Sequence, residues 1–200
     1  MSRGRLEAFS DGVFAIAITL LVLEIDVPAA GGDLAHEVGQ LWPSFAAYIV
    51  SFFTIGIIWV NHHAMMGRVE RVDRTLLFVN LNLLLLVAFI PWPTAVLAEH
   101  LRDGGDNEHL AAAMYAGTFL VMGCCFFVLW WYARSARLLA GELDPGAAAR
   151  LVRRNLVGQT AYAVALGLAF VSAPASLALC GLVALYYVHP GPMRPFERRA

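Results

Sequence analysis

Apolar residues run along this chain in long stretches divided by short charged clusters, without the polar stripe that a helix wet on one side would carry. Crossing a hydrocarbon core of about 30 Å takes roughly 20 helical residues, and four windows of that kind stand clear at 9–27, 43–62, 76–97 and 110–131. The final apolar stretch, 155–188, would be about 51 Å long as one helix, too long for one crossing and tight for two. Pro174 lies inside it and supplies the break. The pattern therefore predicts an all-α polytopic membrane protein with six transmembrane helices at about 9–27, 43–62, 76–97, 110–131, 155–173 and 174–188, forming one domain over residues 1–200.

The placement of arginine tests that count independently, because basic residues accumulate in cytoplasmic loops. All fourteen basic residues are Arg. With the N-terminus inside, Arg3 and Arg5 precede the first span, and Arg68, Arg71 and Arg74 join the second to the third. Arg134, Arg137, Arg150, Arg153 and Arg154 join the fourth to the fifth, and Arg194, Arg198 and Arg199 follow the sixth. Only Arg102 falls outside, whereas five spans would put the three C-terminal arginines there too. Six spans with both termini cytoplasmic is the consistent solution. The outer loops carry Glu24, Asp26, Asp33, Glu37, Glu99, Asp103, Asp106 and Glu108; such a face concentrates cations, although translocated loops also simply lack Arg. A cleaved signal peptide fits poorly, since Asp11 interrupts the first apolar run and removing that span would break the arginine pattern.

Composition narrows the function classes. With 60% apolar and 14% charged residues the chain has no room for a soluble catalytic domain, and a net charge of −1 points to no nucleic-acid partner. Cys124, Cys125 and Cys180 lie in apolar runs without CxxC or His-rich spacing and read as packing residues. No metal or cofactor is implied. Trp42, Trp59, Trp92, Trp130, Trp131, Tyr132, Tyr186 and Tyr187 lie mostly toward span ends, as aromatic belts do.

The chemistry concentrates in the first span. An acid in a membrane helix is costly unless paired or hydrated, so Asp11 calls for a partner. Arg5 is nearest in sequence, Ser10 adds a hydrogen bond, and His62 or His63 would lie at the same depth; helix capping in the headgroup zone is the plainer alternative. Further along, Ile16, Leu20 and Leu23 with Thr19 occupy an arc of about 100°, and Gly12 is close by. By periodicity alone such a stripe means helix packing far more often than pore lining. His62 and His63 point about 100° apart on a helix and so cannot chelate one ion together; structural hydrogen bonding or a pH response remains open for them.

The residues themselves resemble a known family. Arg5-x-x-x-Phe9-Ser10-Asp11-Gly12, followed by 13–24, looks like the first helix of the transmembrane protein 175 family, prokaryotic branch. The resemblance extends to Trp59-x-x-His62-His63, to Asn80 and Asn82, and to Pro91-Trp92-Pro93, while the last three spans match only in number and hydropathy. It implies a potassium-permeable channel built as a homotetramer in a bacterial plasma membrane, with the first helix of each subunit lining the pore. No T-V-G-Y-G filter string occurs, so a hydrophobic gate is implied: Ile16 as the narrowest ring, Leu20 and Leu23 as further layers, and Thr19 with Ile16 in selectivity. Arg5, Ser10 and Asp11 with Trp59 and His63 would form a buried network orienting that helix, to which Phe9, Gly12, His62 and Asn80 belong as motif residues. Human members carry two six-helix repeats, so one repeat implies four copies. Phe14 and Trp92 depart from the family pattern.

Three function classes follow. The leading one is a passive potassium channel, with potassium as permeant ion and the bilayer and three further copies as partners. The second is a proton-permeable channel or proton-coupled secondary transporter, suggested by Asp11 and the nearby histidines. An enzyme would need axial histidines on facing spans or a polar catalytic cluster, which the spans do not offer.

Overall fold

The computed structural model describes residues 2–28, 31–103, 105, 107–141 and 145–188. Apart from one isolated β-bridge, the secondary structure among these residues is helical. Helix α1 (Arg3–Leu20) tightens into a 3-10 turn (Leu21–Glu24) and is followed by α2 (Leu34–Gln40), α3 (Trp42–Met66), α4 (Arg74–Phe89), α5 (Pro91–Asp103), α6 (Asn107–Ser135), α7 (Pro145–Ala169) and α8 (Ala173–Val188). Four units, Arg3–Glu24, Trp42–Met66, Arg74–Leu101 and Asn107–Ser135, are long and apolar enough to cross a membrane, and α8 is a shorter apolar helix.

Three features differ from the sequence expectation. The third span is two helices, because Pro91 has no N–H to give to the Val87 carbonyl. Ile90 spans the junction with helical dihedrals, its N–H reaching Val87 O at 3.3 Å, and the ladder resumes with Thr94 N to Ile90 O at 3.2 Å. The fifth helix begins at Pro145, ahead of the expected 155, and ends at Ala169; its first turns carry Arg150, Arg153 and Arg154. The break expected between 173 and 174 falls at 170–172, because proline is tolerated in a first helical turn, where its missing N–H has no partner to lose. Pro174 is accordingly the second residue of α8, and Ser172 caps that turn by accepting from Ala175 N at 3.3 Å. Arg194, Arg198 and Arg199 lie outside the described residues, as does Asp106.

Helix α6 is the hub, packing against α4, α5, α7 and α8. Ala111, Ala112, Ala113 and Ala116 are buried on it, small enough for neighbouring backbones to come close, while Tyr115 and Phe119 fill the space between. On α8 the buried residues Ala173, Ser176, Leu177, Cys180, Val183 and Ala184 recur at three- and four-residue spacing, marking one inward face. Helix α1 packs on α3 and α4, and its buried residues Leu6, Ser10, Phe14 and Ala17 trace one side of it.

One end of the bundle gathers the N-terminus and the α3–α4 and α6–α7 connections. Val69 and Leu139 form an antiparallel bridge, reinforced by Glu70 N to Leu138 O at 2.8 Å and Ala140 N to Arg68 O at 2.7 Å. Arg71 Nη2 donates to Arg137 O at 3.2 Å, and Arg3, paired with Glu7 at 3.3 Å, donates Nη1 to Val69 O at 3.4 Å. Four of the arginines thus sit at the same end, the arrangement that the loop count demands. Asp73 ties this layer to the bundle: its Oδ1 caps α4 by accepting from Leu76 N at 2.7 Å, and its Oδ2 accepts from Tyr132 Oη at 2.6 Å.

These two contacts, the Tyr132 hydroxyl first, hold the Asp73 carboxyl below its ordinary value. Asp73→Ala is expected to cost about 1 kcal/mol, the usual worth of an N-cap, read as a lower melting temperature of the purified protein. Because the folded-state pKa is depressed, the contribution of the charge is complete above the usual carboxylate value near ~4 and disappears as pH falls through the lower folded value. The gap between wild type and variant should therefore narrow only below about pH 4.

Candidate functional site on the first helix

Helix α1 is polar and pinned on one side of its motif end. Ser10, Asn80 and His62, from α1, α4 and α3, are all buried and form a single chain: Asn80 Nδ2 donates to Ser10 Oγ at 3.0 Å, and His62 Nε2 meets Asn80 Oδ1 at 2.8 Å. With the Asn80 oxygen as acceptor, the geometry calls for the His62 tautomer that carries its proton on Nε2. Ser10 passes its own proton back to Leu6 O at 2.9 Å, so the Asn80 amide and the Ser10 hydroxyl are both engaged within one continuous run. The Phe14 ring lies 5.4 Å from the His62 ring, which gives this departure from the family pattern a packing role next to the network.

Asp11 finds its partner on α3. Trp59 Nε1 donates to Asp11 Oδ1 at 2.8 Å, and the Trp59 ring lies 6.0 Å from that of His63. The expected network thus divides. The buried part is Ser10, Asn80 and His62, and the Asp11–Trp59 pair lies at its half-open edge. Two expected members are not in the buried set: His63 is exposed, with His62 taking the inner position, and Arg5 is exposed, its side chain making no hydrogen bond to Asp11 or Ser10. The physical reason is register. Arg5 lies about 100° around the helix from buried Leu6, and His63 about 100° from buried His62.

The other side of α1 is bare. Phe9, Gly12, Ile16, Thr19, Leu20 and Leu23 are all exposed, Ile16 at 60% and Leu23 at 74%. Arg5 lies within about 20° of Ile16 in helical projection, at the same stripe's motif end. The Thr19 hydroxyl donates to Ile16 O at 2.9 Å, which satisfies its proton inside the helix and leaves the oxygen free to accept. Asn82, another motif position, is exposed and bonds only back to Phe78 O at 2.9 Å. Among the described residues no group of three or more His, Cys, Asp or Glu is placed to hold a metal ion.

A second buried polar cluster was not legible in the sequence. Ser51 Oγ lies 2.8 Å from both Thr94 Oγ1 and Tyr115 Oη, and Thr94 donates to Ile90 O at 2.8 Å. These hydroxyls come from α3, α5 and α6. The Thr94 bond engages the residue at which the proline interrupts the ladder. Three hydroxyls scattered over separate apolar spans carry no spacing signal, and only the fold brings them together.

Pinned helix and bare stripe define a multi-pass helical membrane protein whose first helix is free along one face. The family model described as endosomal/lysosomal potassium channel TMEM175 matches residues 5–91, the segment from Arg5 to Pro91 that contains the whole Ser10–Asn80–His62 chain. A potassium channel of Streptomyces collinus is 53% identical over 187 residues, covering 92% of this chain and 90% of the relative. The chain belongs to the TMEM175 family. The crystal structure of a lysosomal potassium-selective channel TMEM175 homolog from Chamaesiphon minutus superposes with a TM-score of 0.83 at 40% identity, covering 93% of this chain and 96% of that one. The human endosomal/lysosomal proton channel TMEM175 is 35% identical over 116 residues, 52% of this chain and 23% of its own length.

Asn80→Ala would leave Ser10 and His62 buried with an unmet group each. The expected loss is about 2 kcal/mol or more, measured as a fall in melting temperature in detergent. Asn82→Ala, on the exposed side of the same helix, should stay within about 0.5 kcal/mol of wild type.

Proposed function

We propose that the protein is a potassium-permeable channel that conducts passively across a bacterial plasma membrane. The observation that carries this reading is the near full-length similarity to the Streptomyces collinus potassium channel, together with the bare Ile16 stripe on the helix that carries the family motif. Four copies are inferred to assemble with α1 of each around a central pore. Each copy would cross six times, with α7 and α8 supplying the fifth and sixth spans and the arginine-rich end in the cytoplasm.

In such an assembly the exposed residues Ile16, Leu20 and Leu23 would meet across the axis. A ring of Ile16 side chains closes a pore by excluding water, with no polar filter required. Thr19, its oxygen free to accept, would face a passing cation between the Ile16 and Leu20 layers. The Ser10–Asn80–His62 chain would not touch the ion: it sets the rotation of α1, and so decides which residues form the rings. Asp11 held by Trp59, with Phe9 and Gly12 exposed beside it, would shape the cytoplasmic approach.

Proton permeation is a second reading, favoured by Asp11 at the edge of the polar network and by the proton-channel relatives among vertebrates. The two separate in a planar bilayer. Under a potassium gradient at equal pH the reversal potential of the purified protein should follow potassium, and under a pH gradient at equal potassium it should stay near zero. Ile16→Asn should raise unitary conductance and weaken potassium preference, because a hydrated ring replaces a dry one. Tetrameric protein that passes no current would overturn the channel reading. A crosslink pattern from Ile16→Cys with no inter-subunit disulfide would overturn the placement of α1 at the axis.

A further inference from the structure

On the side of the bundle away from α1, helices α3, α6, α7 and α8 enclose a cavity of about 120 Å³. It has two ends of different character. Thr54, Phe119, Met122 and Tyr162 line the deep end, toward the middle of the helices, while Asn61, Arg154 and Asn155 line the end nearer the arginine-rich layer. Leu151, Asn155, Gln159 and Tyr187 are only half-buried, so the cavity opens at the bundle surface. A second hollow of about 40 Å³ shares Phe126, Leu151 and Asn155 with it and extends along α6 and α7 to Trp130 and Val152. Together they make one groove from the bundle interior to the level at which Arg134 lies over the Trp130 ring, 5.6 Å from its centroid.

The polar groups of this groove include two carboxamide donors not engaged by the protein. The Asn155 amide makes no hydrogen bond to any described residue, and Gln159 has only its oxygen engaged, by Cys124 Sγ at 3.7 Å, leaving its NH2 group to the cavity. Two carboxamide NH2 groups at the edge of an apolar cavity favour an occupant that brings oxygen acceptors of its own. The wall is built for persistence: Tyr187 Oη donates to Arg154 O at 2.8 Å while Arg154 Nη2 donates to Tyr187 O at 3.0 Å, locking α7 to α8 in both directions. Arg150 and Arg153 are exposed on the same helix, and Arg134 is exposed opposite.

We propose that this groove binds an anionic phospholipid from the arginine-rich leaflet. One acyl chain enters the Phe119–Met122–Tyr162 end, the ester oxygens meet the Asn155 and Gln159 amides, and the phosphate stays at the rim among the arginines. Charge complementarity selects the occupant. Juxtamembrane arginines attract an anionic headgroup, while the apolar depth accepts a chain and would give no return for a free inorganic anion.

Native mass spectrometry of the detergent-purified protein, titrated with phosphatidylglycerol or with phosphatidylcholine of identical chains, tests this. Wild type should retain phosphatidylglycerol about tenfold more tightly than phosphatidylcholine. Leu151→Trp, which fills the wall common to both hollows, should weaken both lipids about tenfold or more. Asn155→Leu combined with Gln159→Leu should weaken both lipids alike, whereas Arg150→Gln combined with Arg153→Gln should keep chain binding and bring the two lipids within about threefold of each other. Unchanged elution volume and melting temperature establish that the variants are folded, and the double carboxamide variant decides the matter if the tryptophan is not accommodated. Equal retention of the two lipids by wild type, or wild-type retention by the folded variants, would mean that the groove holds water only and would overturn the proposal. The readout is binding, so it stands or falls independently of potassium conduction.

Discussion

Everything distinctive about this molecule depends on one buried run of hydrogen bonds, from Leu6 through Ser10 and Asn80 to His62. In a bilayer no water competes for these groups, so each is either paired within the protein or costly. Apolar contacts between lipid-exposed helices are nearly indifferent to rotation, since the alternative neighbour is equally apolar. A serine that must meet an asparagine is not. The chain crosses α1, α4 and α3 at one level, and it therefore fixes the angle of the first helix about its own axis. The bare stripe is what that angle leaves over: with Ser10, Phe14 and Ala17 turned inward, Ile16, Leu20 and Leu23 are turned out.

Much of the fold was legible because lipid is an unforgiving solvent. The apolar runs and the arginine clusters report the same topology through different physics, one through burial and the other through orientation. What stayed hidden has common causes. Proline marks a break without saying how far ahead of it the break begins: Pro174 opens the last helix as expected, but the helix before it already ends at Ala169. Pro91 interrupts a span that hydropathy sees as continuous, because hydropathy contains no hydrogen-bond ladder. Helix α7 starts early because an arginine-bearing turn is helical without being apolar.

The site was legible in its residues but not in its pairings. The motif brought out Ser10, Asp11, Trp59, His62, His63 and Asn80, and the fold arranges them as a buried trio and a half-open pair, leaving Arg5 and His63 outside the trio. Adjacency in sequence favoured Arg5 for Asp11; the observed partner, Trp59, comes from another helix and neutralises nothing, offering a directed donor where a full counter-charge was expected. The meaning proposed for the exposed stripe lies in what a second copy would do with it. That step was inherited from resemblance, and similarity to near full-length relatives, more than helical periodicity, gives it weight.

The Val69–Leu139 bridge bears on how such a helix can move. Arg3 is tied to Val69, and the polar trio holds the next turns, so the motif end of α1 is anchored to the two joined loops. The far end passes into a 3-10 turn, held at Leu21, and then into a connection. Were α1 to tilt about Ser10, it would act as a lever. Leu23 lies about 20 Å along the arm at about 1.5 Å per residue, so each three degrees of tilt carries it sideways by roughly 1 Å, while Ile16, nearer the pivot at about 9 Å, moves by less than half as much. Any tilt about that point would thus displace Leu23 most and Ile16 least along the exposed stripe, so the two ends of one apolar face need not move together.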